Sequence, residues 1–139
     1  MKVRDVMTKK AEIVSMSSSL VGAAKLMRRQ GIGFLPVVED GVVVGVLTDR
    51  DIVLRGIAEG RNPYMTLVSD VMTPTLMWCY ADDVLTKAAQ VMEDSHIRRL
   101  LVLDADKKLV GILSLDDLAA RMSSDRLLGT IVRNTTAAA

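Results

Sequence analysis

The sequence predicts a mixed α/β (α+β) fold made of two pseudo-symmetric β-α-β-β-α repeats packed as one pair. Three observations carry this. Asp5-Val6-Met7-Thr8 recurs 65 residues later as Asp70-Val71-Met72-Thr73. The stripe Leu20, Ala23, Ala24 and Met27 recurs at that offset as Leu85, Ala88, Ala89 and Met92. Gly45, Thr48 and Asp51 recur 66 residues later as Gly111, Ser114 and Asp117. One residue has therefore been added between the two registers. A turn is the simplest place for it, at Asp40-Gly41 or Ala105-Asp106-Lys107. The period is too long for a solenoid unit, so a duplicated α/β unit follows.

Each repeat opens on a short apolar stretch that suits a first strand, Ile13-Val14 and Met77 to Cys79. The stripes that follow fall at i, i+3, i+4 and i+7, the period of an amphipathic helix. Ser17 to Ser19 and Asp82-Asp83 supply residues that can cap their N-termini. Apolar runs come next, Phe34 to Val38 and Leu100 to Leu103. Across a polar turn, Val42 to Leu47 and Leu109 to Leu113 answer them, as in a β-hairpin. Pro36 is expected at a strand start or edge, because it has no N–H for a ladder. A second helix opens at Thr48 and at Ser114. The expected organisation is repeat 1 over 1–58, a linker over 59–67, repeat 2 over 68–124 and an extension over 125–139. Thr135 to Ala139 lack periodicity and are expected to fray.

The 139 residues fit about one compact unit by a prior of ~150 residues per domain. Half of them are hydrophobic, enough for a core. Lysine and arginine total 18 against 17 acidic residues, a net charge of +1. That balance, with only four aromatic residues, argues against a nucleic-acid binder, which needs a basic surplus and stacking surface. One cysteine forms no intrachain disulfide, and one cysteine with one histidine cannot fill a tetrahedral zinc site. No apolar run reaches the ~18 residues of a membrane span. The first residues lack a secretory apolar segment. A cytoplasmic protein without membrane contact is expected. The chain has no recognisable nucleophile–base set and no Gly-Lys-[Ser/Thr] phosphate loop, so an enzyme is not expected.

Three further signatures stand in the same order: Val-x-Asp-Val-Met-Thr before each repeat, Gly31-Ile32-Gly33-Phe34-Leu35-Pro36-Val37-Val38, and two closing stretches. These last are Gly45-Val46-Leu47-Thr48-Asp49-Arg50-Asp51-Ile52 and Gly111-Ile112-Leu113-Ser114-Leu115-Asp116-Asp117-Leu118. Together they resemble a tandem pair of CBS (cystathionine-β-synthase) domains over about Val3 to Met122. The resemblance implies two clefts between the repeats, which in that family commonly bind AMP, ADP, ATP or S-adenosylmethionine. It also implies a homodimer and regulation of a partner protein, with no required cofactor. No catalytic domain is implied.

The resemblance assigns ribose to Asp51 and Asp117, supported by Thr48 and Ser114. A carboxylate with two acceptor oxygens suits a vicinal diol. The same residues also form [Ser/Thr]-x-x-[Asp/Glu], a capping box ahead of a helix. Cap and ligand site are compatible if the Ser or Thr caps while the Asp stays free. Arg98 and Arg99 are candidates for phosphate, whose oxygens match the guanidinium fork. Arg50 is a further candidate. Gly33 and Phe34 stand where repeat 2 has Arg98 and Arg99, so two equivalent phosphate sites are not expected. Ile13, Val14, Trp78 and Cys79 are adenine-pocket candidates by resemblance, and core residues by composition. Cys79 is a small hydrophobe by default. Its pairing across a dimer, or a zinc shared with His96 of two chains, is a third reading. Against the sensor stands a dimerisation or adaptor module with unoccupied clefts.

Overall fold

The computed structural model describes residues 1–121, 129 and 132–134. In chain order the elements are a 3-10 turn (Val3–Asp5), β1 (Thr8–Lys9), β2 (Val14–Ser15), α1 (Leu20–Gln30), β3 (Phe34–Glu39) and β4 (Val42–Thr48). Next come α2 (Asp49–Asp51), continued as a π-helical stretch (Ile52–Ile57), then α3 (Val68–Val71) and β5 (Trp78–Tyr80). Last are α4 (Leu85–Ser95), β6 (Arg99–Leu103), β7 (Leu109–Ser114) and α5 (Leu115–Ala119). The β-α-β-β-α order is present twice. Of the 125–139 extension, Gly129 and residues 132–134 are helical. Its expected frayed end, Thr135 to Ala139, lies outside the described residues.

The chain divides into two compact units, Glu12–Leu76 and Met1–Ala11 with Met77–Ala139. Each unit holds one β-α-β-β-α repeat together with the Asp-Val-Met-Thr segment that precedes the other repeat in sequence. The glycines explain the arrangement. Gly45 of β4 faces the Thr73 carbonyl, and a Cβ there would lie 2.8 Å from that oxygen. Gly111 of β7 faces the Thr8 carbonyl, where a Cβ would lie 2.6 Å away. Only glycine lets the segment come so close. The closeness is used: Val46 and Thr73 exchange N–H···O bonds of 2.9 and 2.8 Å. Thr8 and Lys9 pair with Ile112 and Gly111 as β1.

In the unit Glu12–Leu76 the sheet runs β2-β3-β4, with β2 parallel and β4 antiparallel to β3. Ser19 caps α1 by accepting the Gly22 N–H at 3.0 Å, and Gly31 ends the helix in the left-handed region at φ 67°. Leu20, Ala23 and Met27 enter the core with Leu35, Val37 and Leu47. Each fully buried leucine contributes roughly 1.5–3 kcal/mol. Ala24 departs from the expected stripe: it is exposed, whereas its match Ala89 is fully buried. Asp40 and Gly41 both have positive φ, 50° and 78°, as a two-residue hairpin turn of matching twist requires.

Pro36 corrects the edge expectation, since it lies inside the central strand. Its partner across the ladder is Val46, whose N–H and C=O both bond Thr73 instead. Pro36 therefore also faces away from β4, and β2 reaches only Val37 and Val38. No ladder bond is lost.

In the other unit the sheet order is β1-β7-β6-β5. Val3, Leu85, Ala88, Met92, Leu100 and Leu113 anchor its core. The bulge of the first hairpin recurs. Val37 faces Gly45 and Val38 faces Val43, just as Val102 faces Gly111 and Leu103 faces Leu109. Four residues separate Val38 from Val43 and five separate Leu103 from Leu109, so the added residue lies in the second turn. There the Asp104 carboxylate accepts the N–H groups of Asp106 and Lys108, both at 2.9 Å.

The Asp82-Asp83 cap is corrected. Val84 is the N-cap of α4, without a side-chain bond. Asp83 instead accepts the Tyr80 N–H at 2.9 Å and pairs with Lys87 at 3.1 Å, which consumes its carboxylate before the helix starts. His96 ends α4 in the left-handed region at φ 55°, where the first repeat has Gly31. A Cβ in that region costs roughly 1–2 kcal/mol. His96→Gly is therefore expected to raise stability by about 1 kcal/mol, less the chain entropy of glycine. A denaturation midpoint at or below that of the parent would refute this.

Candidate functional site

The two [Thr/Ser]-x-x-Asp stretches fold alike, and both form the cap. In α2 the Thr48 Oγ1 accepts the Asp51 N–H at 3.1 Å, and the Thr48 N–H donates to Asp51 Oδ2 at 3.0 Å. In α5 the Ser114 Oγ accepts the Asp117 N–H at 3.1 Å, and the Ser114 N–H donates to Asp117 Oδ2 at 2.8 Å. Each helix start is thus satisfied reciprocally. The Ser or Thr hydroxyl is committed, and what remains for a ligand is the rest of the carboxylate.

That remainder differs between the copies. Asp117 is half-buried, and its Oδ1 makes no hydrogen bond among the described residues. Asp51 is buried, 8% exposed. The Thr73 hydroxyl lies 3.4 Å from both of its oxygens, and Arg55 Nε lies 4.0 Å from Oδ1. Arg55 also donates to the carbonyls of Val71 and Met72 at 3.3 and 3.2 Å. Sequence reasoning noted Thr73 only as part of a repeat and passed over Arg55. The i,i+4 spacing of Asp51 and Arg55 was the available signal. Nothing local announces a bond to Thr73, 22 residues away.

The charged neighbours differ too. Arg99 faces Ser114 across the β6–β7 ladder, and the Arg98 carbonyl accepts the Leu115 N–H at 2.8 Å. Both arginine residues are exposed. In the first copy Phe34 faces Thr48, and the Gly33 carbonyl accepts the Asp49 N–H at 3.0 Å. A Cβ on Gly33 would lie 2.5 Å from Asp49 Oδ2. A carboxylate therefore stands where the second copy has Leu115. Arg50 is exposed beside it and donates its own N–H to Asp49 Oδ1 at 2.9 Å.

The adenine-pocket candidates separate by strand alternation. Ile13 and Trp78 are 46% and 47% exposed, while Val14 and Cys79 are packed in the cores of their units. Burial, with the Asp83 carboxylate as a second cause, pushes the Cys79 thiol up to about 12. A buried, protonated thiol is not a ready nucleophile. Among the described residues no group of three or more His, Cys, Asp or Glu side chains is placed to hold a metal ion. No helix among them is long and apolar enough to cross a membrane.

The profile of the CBS domain family matches residues 3–56 and again residues 68–124. The chain belongs to the CBS domain family. The CBS domain-containing protein YhcV of Bacillus subtilis is 42% identical over 132 residues, 95% of this chain and 93% of that protein. Hypoxic response protein 1 of Mycobacterium tuberculosis is 32% identical over 120 residues, 86% of this chain and 83% of that protein. The solved CBS domain pair of protein MJ0100, in complex with 5-methylthioadenosine and S-adenosyl-L-methionine, superposes with a TM-score of 0.74 at 26% identity. It covers 86% of this chain and 98% of that one. The chain is thus a CBS pair, and a relative of its fold carries adenosine-containing ligands.

Proposed function

We propose that this CBS pair is a regulatory module that binds an adenosine-containing ligand, AMP, ADP, ATP or S-adenosylmethionine, and signals its presence to a partner protein. The observation that carries the reading is the open Asp117 carboxylate. Its Oδ2 holds the Ser114 N–H, while Oδ1 makes no hydrogen bond among the described residues and suits a ribose diol. Arg98 and Arg99 lie at the adjoining strand start, suited to phosphate oxygens. Trp78 offers an exposed ring on β5. The ligands bound to the MJ0100 pair support the adenosine class. Calorimetric titration with AMP, ATP and S-adenosylmethionine tests this. Saturable heat with one of them is expected, and the absence of heat with all three at millimolar concentration contradicts it.

A second reading, a dimerisation or adaptor module, is favoured by one surface. Val53, Leu54 and Ile57 of the π-helical stretch are 53%, 44% and 53% exposed, and Ile32 lines the same cavity as Val53. This open cavity of about 490 Å³ is also lined by Ala24, Met27, Arg28 and Asp49 among others. The apolar patch carries both charge signs at its rim, Arg28 and Asp49, so a two-fold pairing that sets Arg28 of one chain against Asp49 of the other is charge-complementary. Light scattering is expected to give a dimer mass for the parent and a monomer mass for Ile57→Asp. A parent that stays monomeric at tens of micromolar counts against the patch as a self-interface.

A further inference from the structure

The two boxes share one motif and have different surroundings. We infer that the Thr48–Asp51 box is a closed structural latch, so that this chain holds one adenosine ligand, at Asp117. The count of ligands rests on the function proposed above; the latch does not.

Three observations point the same way. The first is carboxylate capacity. Asp51 spends Oδ2 on the Thr48 N–H, and the Thr73 hydroxyl reaches both oxygens at 3.4 Å. A diol would have to displace Thr73 from a residue that is 8% exposed. The second is mechanical. Arg55 stands between Asp51 and the carbonyls of Val71 and Met72, so opening Asp51 also frees the end of α3. The third is charge. A phosphate placed by analogy at the first box would meet the Asp49 carboxylate, where the second box has Leu115 beside Arg98 and Arg99. Like charges at such range repel, and more strongly away from bulk water.

The matched positions strengthen the contrast. Thr8 and Arg121 are the counterparts of Thr73 and Arg55 by the two sequence offsets. Among the described residues neither bonds Asp117. The helix explains Arg121. The first copy continues past Asp51 through the π-helical stretch, which carries Arg55 back to the carboxylate. The second ends at Ala119, before Arg121.

The test counts ligands and measures melting on the same variants of the full chain. Native mass spectrometry with AMP, ADP, ATP and S-adenosylmethionine is expected to give one ligand per chain for the parent. Asp51→Asn is expected to keep that count and an affinity within about two-fold. Thr73→Val, which removes the part-buried bond to Asp51, and Asp51→Asn, which removes the charge facing Arg55, are expected to melt roughly 5 °C below Asp117→Asn, which has neither partner among the described residues. Two ligands per parent chain, or loss of the ligand in Asp51→Asn at an unchanged melting temperature, overturns the inference. If the parent binds none of the four, the sensor reading and the one-ligand count fall. The melting order then decides the latch: equal melting of the Asp51, Thr73 and Asp117 variants overturns it.

Discussion

Gly111→Ala is expected to lower stability by about 1–3 kcal/mol, the range for overpacking a filled site. The added Cβ would lie 2.6 Å from the Thr8 carbonyl oxygen and 2.8 Å from Met7 Sδ. The methionine can turn aside, since its thioether chain is flexible. The carbonyl cannot, because Thr8 and Lys9 are fixed by their pairing with Ile112 and Gly111. Relief of the clash therefore means peeling β1 from β7. Gly45→Ala is expected to act likewise at the Thr73 carbonyl, 2.8 Å from its Cβ. Gly33→Ala is the control. Its Cβ would meet only the Asp49 side chain, which stands on the surface and can swing away. Urea melts should show lower midpoints at unchanged slope for Gly111→Ala and Gly45→Ala. A Gly111→Ala midpoint no lower than that of Gly33→Ala would contradict the close approach of the Met-Thr segments.

The second large effect is on binding. Asp117→Ala is expected to weaken the adenosine ligand by roughly 10–100-fold, since bonds to a charged group contribute ~1.5–3 kcal/mol. That variant also leaves the Ser114 N–H without its acceptor, held now at 2.8 Å. Loss of fold and loss of contact have to be separated. Asp117→Asn does so: its amide oxygen still accepts the Ser114 N–H, and only the charge is removed. It is expected to melt near the parent and still bind at least about ten-fold more weakly. Arg98→Ala and Arg99→Ala should weaken nucleotides in a salt-dependent way and leave adenosine nearly untouched. Unchanged affinity in Asp117→Asn would remove the carboxylate from the site.

What could be read from the sequence was local. The spacing of Leu20, Ala23 and Met27 reports a buried helix face because 3.6-residue periodicity needs no knowledge of the partner surface. The capping boxes at Thr48 and Ser114 were legible for the same reason: donor and acceptor lie three residues apart. The hairpin followed from Asp40-Gly41, whose left-handed backbone few other pairs adopt. What escaped was tertiary. Nothing in two identical Asp-Val-Met-Thr segments says which repeat each joins. Pro36 looked like an edge residue because proline lacks a donor. It sits in a central strand only because β2 is two residues long. Asp82-Asp83 resembled a cap, but a turn bond and Lys87 took the Asp83 carboxylate first. The inequality of the two carboxylates was hinted at by Gly33 and Phe34 opposite Arg98 and Arg99. Its cause, Thr73 and Arg55 on Asp51, needed the fold.

The measurement that bears most directly on the central claim is a thermal-shift panel of the purified chain. AMP, ADP, ATP and S-adenosylmethionine would be run beside GTP, with Asp117→Asn in parallel. A ligand bound to the native state raises stability by about 2.7 kcal/mol at a hundred times its Kd, or roughly 5–10 °C for a chain of this size. The account predicts such a rise for one or more adenosine compounds, none for GTP, and a rise reduced to about half or less in Asp117→Asn. No rise with any of the four adenosine compounds at millimolar concentration, or an equal rise in Asp117→Asn, would contradict it.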